Sequence, residues 1–177
     1  MTRYCWSAVL FVMSSAAFAQ QGITFESVAT PPATDSLAFR TPLPDFSARD
    51  LAGRNWRPAD LRDKLTVVQI WSTHCIPCRE EHPLLQRFFD ETLTMKNVQV
   101  LTFALDSDPS QVMRYMKEKR YTFQVVVDKD LEPKLFPAVG GIPKTFVVGP
   151  DGRRSDAFQT WTFGRILMEV EELAKAN

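Results

Sequence analysis

The sequence predicts an α/β fold in which a central mixed β-sheet is flanked by helices. Three observations carry that prediction. Short apolar runs rich in β-branched residues alternate with helical segments between 65 and 127, as in parallel strands joined by crossovers. The turn Gly149-Pro150-Asp151-Gly152 lies between two strand-like runs and is an Asp-Gly hairpin signal, which adds antiparallel pairing. Finally, 177 residues with 45% hydrophobic side chains suffice for one domain with a real core.

Each element has its own local reason. Pro42 to Phe46 and Asp50 to Arg54 read as an extended segment with a turn, and Pro58 to Asp63 as a short helix. Leu65 to Trp71 (LTVVQIW) is the apolar, β-branched run of a strand buried on both faces. A helix follows, with Pro77 at its start, where a missing amide costs nothing. Leu84, Leu85, Phe88 and Phe89 supply its apolar stripe, and Pro83 falls inside it, where a kink is expected. Val98 to Leu105 is a second strand and Pro109 to Lys119 a second helix, with Asp106 to Asp108 available as a cap. Phe123 to Val127 is a third strand, Leu131 to Phe136 a turn of helix, and Gly140-Gly141 a break. Lys144 to Val148 and Arg153 to Phe158 form the hairpin arms. Thr162 to Ala176 closes the chain as a helix with Ile166, Leu167, Val170 and Leu173 on one face.

The first residues read as an address. Arg3 gives a positive start, Trp6 to Phe18 is mostly apolar, and Ala17-Phe18-Ala19 has the small-x-small pattern of a signal-peptidase site. That run falls short of the roughly 20 residues needed to span a bilayer, so a removed signal at 1–19 is expected, with no stable membrane insertion afterwards. An uncleaved membrane anchor is the alternative. Residues 20–40, with Pro31 and Pro32 and little periodicity, read as a linker, and 41–177 as the domain. The mature chain is expected outside the cytoplasm, in the periplasm. Basic and acidic residues both number 21, so no overall field recruits nucleic acid or an acidic membrane surface.

Of three cysteines, Cys5 would leave with the signal. Cys75 and Cys78 remain, within WSTHCIPCREEHP, which also holds both histidines, His74 and His82. One close pair in an extracytoplasmic chain is no disulfide framework, and a bridge closing so small a loop removes little unfolded-state entropy. The pair is better read as reactive. Cys75 lies just before the first helical turn, where free amides and the helix dipole favour the thiolate and lower its pKa from about 8.5. Cys78, one turn on, can attack a mixed disulfide formed by Cys75. The pair also sits at the carboxyl edge of the sheet, where open α/β proteins bind ligands.

TVVQIWSTHCIPCREEHPLL, the Gly141-Ile142-Pro143 step and the Asp-Gly hairpin together resemble a thioredoxin fold. Within that superfamily the chain most resembles TlpA-like extracytoplasmic thiol-disulfide oxidoreductases, which overlap the redoxin and AhpC/TSA-type domains. The resemblance runs from about Leu43 to Ala174. It implies that Cys75 attacks, Cys78 resolves, and Pro143 carries a cis peptide bond facing the pair while Ile142 offers its backbone to a substrate strand. Trp71, His74, Ile76 and Pro77 complete the expected substrate-contacting set. It further implies cysteine-bearing protein substrates such as apocytochrome c, a membrane thiol-disulfide transporter as electron donor, and no cofactor.

Two positions depart from the pattern. His74 stands where an aromatic residue often precedes the first cysteine, and its imidazolium could stabilise the Cys75 thiolate. Gln69 occupies the place of the buried aspartate of cytoplasmic thioredoxins and cannot carry a proton. Glu81, three residues past Cys78, is the candidate substitute, at an offset where TlpA-like reductases use an acid. The expected direction is reductive, because Ile76-Pro77 lacks a group that would strongly stabilise the reduced thiolate.

Three other readings use the same residues. His74, Cys75, Cys78 and His82 are a possible zinc or copper ligand set, although one helix and one loop would have to supply the whole tetrahedron. A peroxiredoxin-type thiol peroxidase is suggested by Ser72, three residues before Cys75, but Val68 stands where such enzymes place a proline. A binding domain without catalysis is the third, with no residue that argues for it.

Overall fold

The computed structural model describes residues 39–130, 141–155 and 163–176. The signal at 1–19, the linker up to residue 38, the helical turn at 131–136, Gly140 and the outer part of the second hairpin arm lie outside these residues.

Among the described residues, six strands form one sheet in the spatial order β1-β8-β7-β4-β5-β6: β1 (Thr41–Pro42), β4 (Leu65–Trp71), β5 (Val98–Ala104), β6 (Val125–Val127), β7 (Lys144–Val148) and β8 (Arg153–Arg154). A small hairpin, β2 (Ala48–Arg49) with β3 (Asn55–Trp56), turns through Gly53 at φ +87° and meets the edge strand β6, where Asp50 bridges Val126 and the Leu51 amide donates to the Val125 carbonyl at 2.9 Å. Among the described residues, three helices accompany the sheet: α1 (Ile76–Thr92), α2 (Pro109–Lys119) and α3 (Phe163–Ala176). Among the described residues, no helix is long and apolar enough to cross a membrane.

The pairing is mixed, as expected. β4 runs parallel to β5, and β5 to β6, while β7 is antiparallel to β4. Gly152 takes φ +77° in the turn between β7 and β8, where its amide donates to the Gly149 carbonyl at 2.9 Å. The residue contributes no Cβ to oppose that left-handed backbone.

β4 is the central strand and all seven of its residues are buried. The two-residue alternation of a strand distributes them between two cores. Leu65, Val67 and Trp71 join the core beneath α1, α2 and α3, together with Leu85, Phe88, Val112 and Ile166. Val68 and Ile70 face the other core, with Phe46, Trp56, Leu61, Phe103 and Phe146. Leu61 belongs to a single 3-10 turn, Pro58–Leu61, in place of the longer helical stretch expected to Asp63.

α1 runs unbroken through Pro83. Its buried face is Cys78, Glu81, His82, Leu85, Phe88, Phe89 and Thr92. The expected stripe thus starts earlier, and Leu84 lies at its edge, 41% exposed, where a Cβ at Gly164 of α3 would meet its Cδ2 at 3.5 Å. α2 begins after Asp108, whose carboxylate accepts from the Ser110 amide at 2.9 Å, and ends at Arg120 in the left-handed region.

Candidate functional site

The strand-to-helix junction at the carboxyl end of β4 makes the site. Cys75 is the N-cap of α1, and its sulfur accepts the Cys78 amide at 3.2 Å, one of the donors that a helix start leaves free. The two sulfurs are joined as a disulfide, with their Cα atoms 5.3 Å apart. Cys75 is partly exposed, whereas Cys78 is fully buried. Ile76 between them is 69% exposed and Pro77 is exposed as well.

The Ile142-Pro143 peptide is cis. The Ile142 carbonyl oxygen lies 3.7 Å from the Cys75 sulfur, so the chain entering β7 presents its backbone to the outer thiol. Ile142 is half-buried and Pro143 buried.

Beneath the disulfide the alternation of β4 meets the 3.6-residue period of α1. Gln69, on the helix-facing side of the strand, donates from Nε2 to Glu81 Oε2 at 2.6 Å, and both residues are buried. The Gln69 amide therefore holds the Glu81 carboxylate in the layer beneath the disulfide. Two residues on, Trp71 meets His82 edge to face, with ring centroids 4.4 Å apart. Trp71 is 0% exposed: the same strand face that carries Val67 into the core carries its side chain there too.

His82 is buried as well, and its Nδ1 shares a hydrogen bond with the Tyr115 hydroxyl at 2.8 Å. Burial, with the Arg79 guanidinium adding to it, lowers its pKa from 6.5 to about 4, so the imidazole is neutral over the physiological range. Burial pushes the Tyr115 phenol up to about 12. His74, by contrast, has a side chain 75% exposed and reaches toward Asp106, with Nδ1 3.5 Å from Oδ1, while its Nε2 lies 3.1 Å from Gln111 Nε2. The metal reading fails on this geometry, because one histidine turns outward to Asp106 and the other inward to Tyr115. Among the described residues no group of three or more His, Cys, Asp or Glu side chains could hold a metal ion.

Asp106 was offered by the sequence only as a helix cap, and Asp108 takes that role. The Asp106 carboxylate is buried and accepts the Thr73 amide at 3.0 Å and the Thr73 hydroxyl. Gln111 Nε2 donates to the same hydroxyl at 3.1 Å. Together they tie the loop before Cys75 to the end of β5 and to α2. Parallel register was the available signal: Trp71 pairs with Ala104, so two residues beyond each strand bring Thr73 level with Asp106.

The chain matches the AhpC/TSA family over residues 39–153. It is 27% identical over 118 residues to the thiol-disulfide oxidoreductase ResA of Geobacillus thermodenitrificans, a match spanning 67% of each chain. It is 30% identical over 119 residues to the thiol:disulfide interchange protein DsbE of Pseudomonas fluorescens, spanning 66% of this chain and 64% of that one. The solution structure of a thiol:disulfide interchange protein from a Bacteroides species superposes with a TM-score of 0.66 at 21% identity, over 79% of this chain and 92% of the other, and so shares the fold. The chain belongs to the AhpC/TSA family, as a thioredoxin-fold member whose Cys75–Cys78 disulfide is the redox centre of a thiol-disulfide oxidoreductase.

Proposed function

We propose that the chain is an extracytoplasmic protein disulfide reductase in which Cys75 attacks and Cys78 resolves. The observation that carries this reading is the difference between the two sulfurs: one caps a helix in partial contact with solvent, the other is buried one turn below it. The Cys75 thiolate attacks a sulfur of the client disulfide and forms a mixed disulfide, and the client's other sulfur leaves as a thiolate. Cys78 then loses its proton and attacks the Cys75 sulfur. This expels the second client thiolate and leaves the Cys75–Cys78 disulfide. The client has gained two electrons and this protein has lost two, which an upstream dithiol donor restores. In this reading Glu81, three residues past Cys78 and hydrogen-bonded by Gln69, accepts the Cys78 proton.

Redox titration of the purified protein tests the direction. A potential near the thioredoxin end of the scale, about −270 mV, is expected, and one near −120 mV would make the protein an oxidant instead. Peroxide reduction is the second reading, favoured by the family match and by Ser72. Peroxide consumption by the isolated reduced protein would support it.

A further inference from the structure

Beside the redox loop, α1 and α2 leave a cavity of about 350 Å³ lined by Thr73, Arg79, Gln111, Arg114, Tyr115 and Glu118. Its shape follows from spacing. Gln111, Arg114, Tyr115 and Glu118 lie at i, i+3, i+4 and i+7 and so share one face of α2, while Arg79 comes from the residue directly after Cys78. Thr73, two residues before Cys75, closes the side nearest the disulfide.

The charge of this cavity is unusual in its setting. Among the described residues neither Arg79 nor Arg114 makes an ion pair with a carboxylate; the ion pairs lie elsewhere. The Tyr115 hydroxyl, near enough to feel Arg79, cannot neutralise it, since burial pushes that phenol up to about 12 and it stays protonated. Glu118 stands at one side, and Asp108 at the start of α2 is close enough to feel Arg114. The cavity thus keeps two forked cationic donors facing a space of side-chain size, and guanidinium forks match carboxylates in bidentate geometry.

We propose that this cavity is a specificity pocket for client polypeptides, in which Arg79 and Arg114 receive the carboxylate of an aspartate or glutamate near the cysteine under exchange. The proposal rests on the thiol-disulfide exchange reading above. The sheet order sets the reach. Ile142 enters β7 on one side of β4, and α2 leaves β5 on the other, so the disulfide at the end of β4 lies between the Ile142 backbone and the cavity. Two strand spacings are about 10 Å, which an extended client covers in about three residues. A cavity of 350 Å³ takes one acidic side chain and excludes a folded partner.

The test uses the reduced protein and three peptides carrying one cysteine as a mixed disulfide with 2-mercaptoethanol, differing only in Glu, Gln or Lys three residues from that cysteine. Bis(2-hydroxyethyl) disulfide serves as an uncharged substrate. At low salt, kcat/KM is expected to rank Glu above Gln above Lys, with Glu about tenfold over Gln, a preference that narrows as salt is raised. Within Arg114→Gln and within the Arg79→Gln, Arg114→Gln double variant the Glu-to-Gln ratio is expected to fall to about 1, and Arg114→Glu to favour the Lys peptide. Each ratio is internal to one protein, so a general loss of activity does not mimic the result. Reduction of the uncharged disulfide by the wild type with a Glu-to-Gln ratio within twofold of 1 overturns the pocket and leaves the redox reading standing. If no disulfide is reduced, both fall.

Discussion

The two sulfurs of one disulfide occupy different worlds. Cys75 touches solvent, caps α1 and lies 3.7 Å from the Ile142 carbonyl oxygen. Cys78, 5.3 Å away at Cα, is sealed under the same helix turn, above a layer of Gln69, Glu81, Trp71 and His82 with no solvent exposure to speak of. The difference teaches how a symmetric bond becomes a directional device. Dipole and free amides lower the cost of a thiolate at the outer position, whereas burial raises it at the inner one unless a base takes the proton.

The largest expected effect comes from removing the outer sulfur. Cys75→Ser should abolish disulfide exchange, by on the order of a thousandfold or more, whereas Cys78→Ser should still attack and accumulate a mixed disulfide visible by non-reducing electrophoresis. Next comes acid stability of the inner layer. The folded-state pKa of His82, about 4, lies below the ordinary 6.5, so the unfolded chain binds the proton first. The stability tied to the neutral ring is intact above about pH 6.5 and is lost as pH falls toward 4, by about 3 kcal/mol in all. Urea unfolding across that window should show the fall, and His82→Gln should flatten it.

A smaller effect separates attack from resolution. Glu81→Gln should slow decay of the mixed disulfide about 100-fold and move the pH profile of that step, with the initial attack by Cys75 affected far less; stopped-flow kinetics distinguish the two. Least costly is the outer loop's tether. Asp106→Ala leaves the half-buried Thr73 amide without its carboxylate acceptor and should destabilise the fold by about 1 kcal/mol, with a few-fold loss of Cys75 reactivity; Asp106→Asn should recover part of both.

What could be read from the chain was what is local in it. LTVVQIW carries its own burial pattern, the CxxC spacing places one sulfur before a helix and one within it, and Asp151-Gly152 specifies its turn. The cis bond at Pro143 came through family resemblance. Side-chain partners set by strand register were not legible in this way. Gln69 and Glu81 meet only because β4 alternation and α1 phase coincide, and Asp106 reaches Thr73 only because β4 and β5 are parallel and in step. Which core Trp71 enters follows from the same count: two residues at a time from Val67 lead beneath α1. Arg79 and Arg114 converge across two helices, and nothing in the order of residues announces it.

The most direct measurement of the central asymmetry is the pH dependence of iodoacetamide alkylation of the reduced protein, resolved for each cysteine by peptide mass mapping. Cys75 is expected to react with an apparent pKa well below the free-thiol value of about 8.5, and Cys78 to react far more slowly at every pH at which the protein stays folded. Equal rates at the two positions, or a Cys75 profile matching that of an unstructured peptide thiol, would contradict the account.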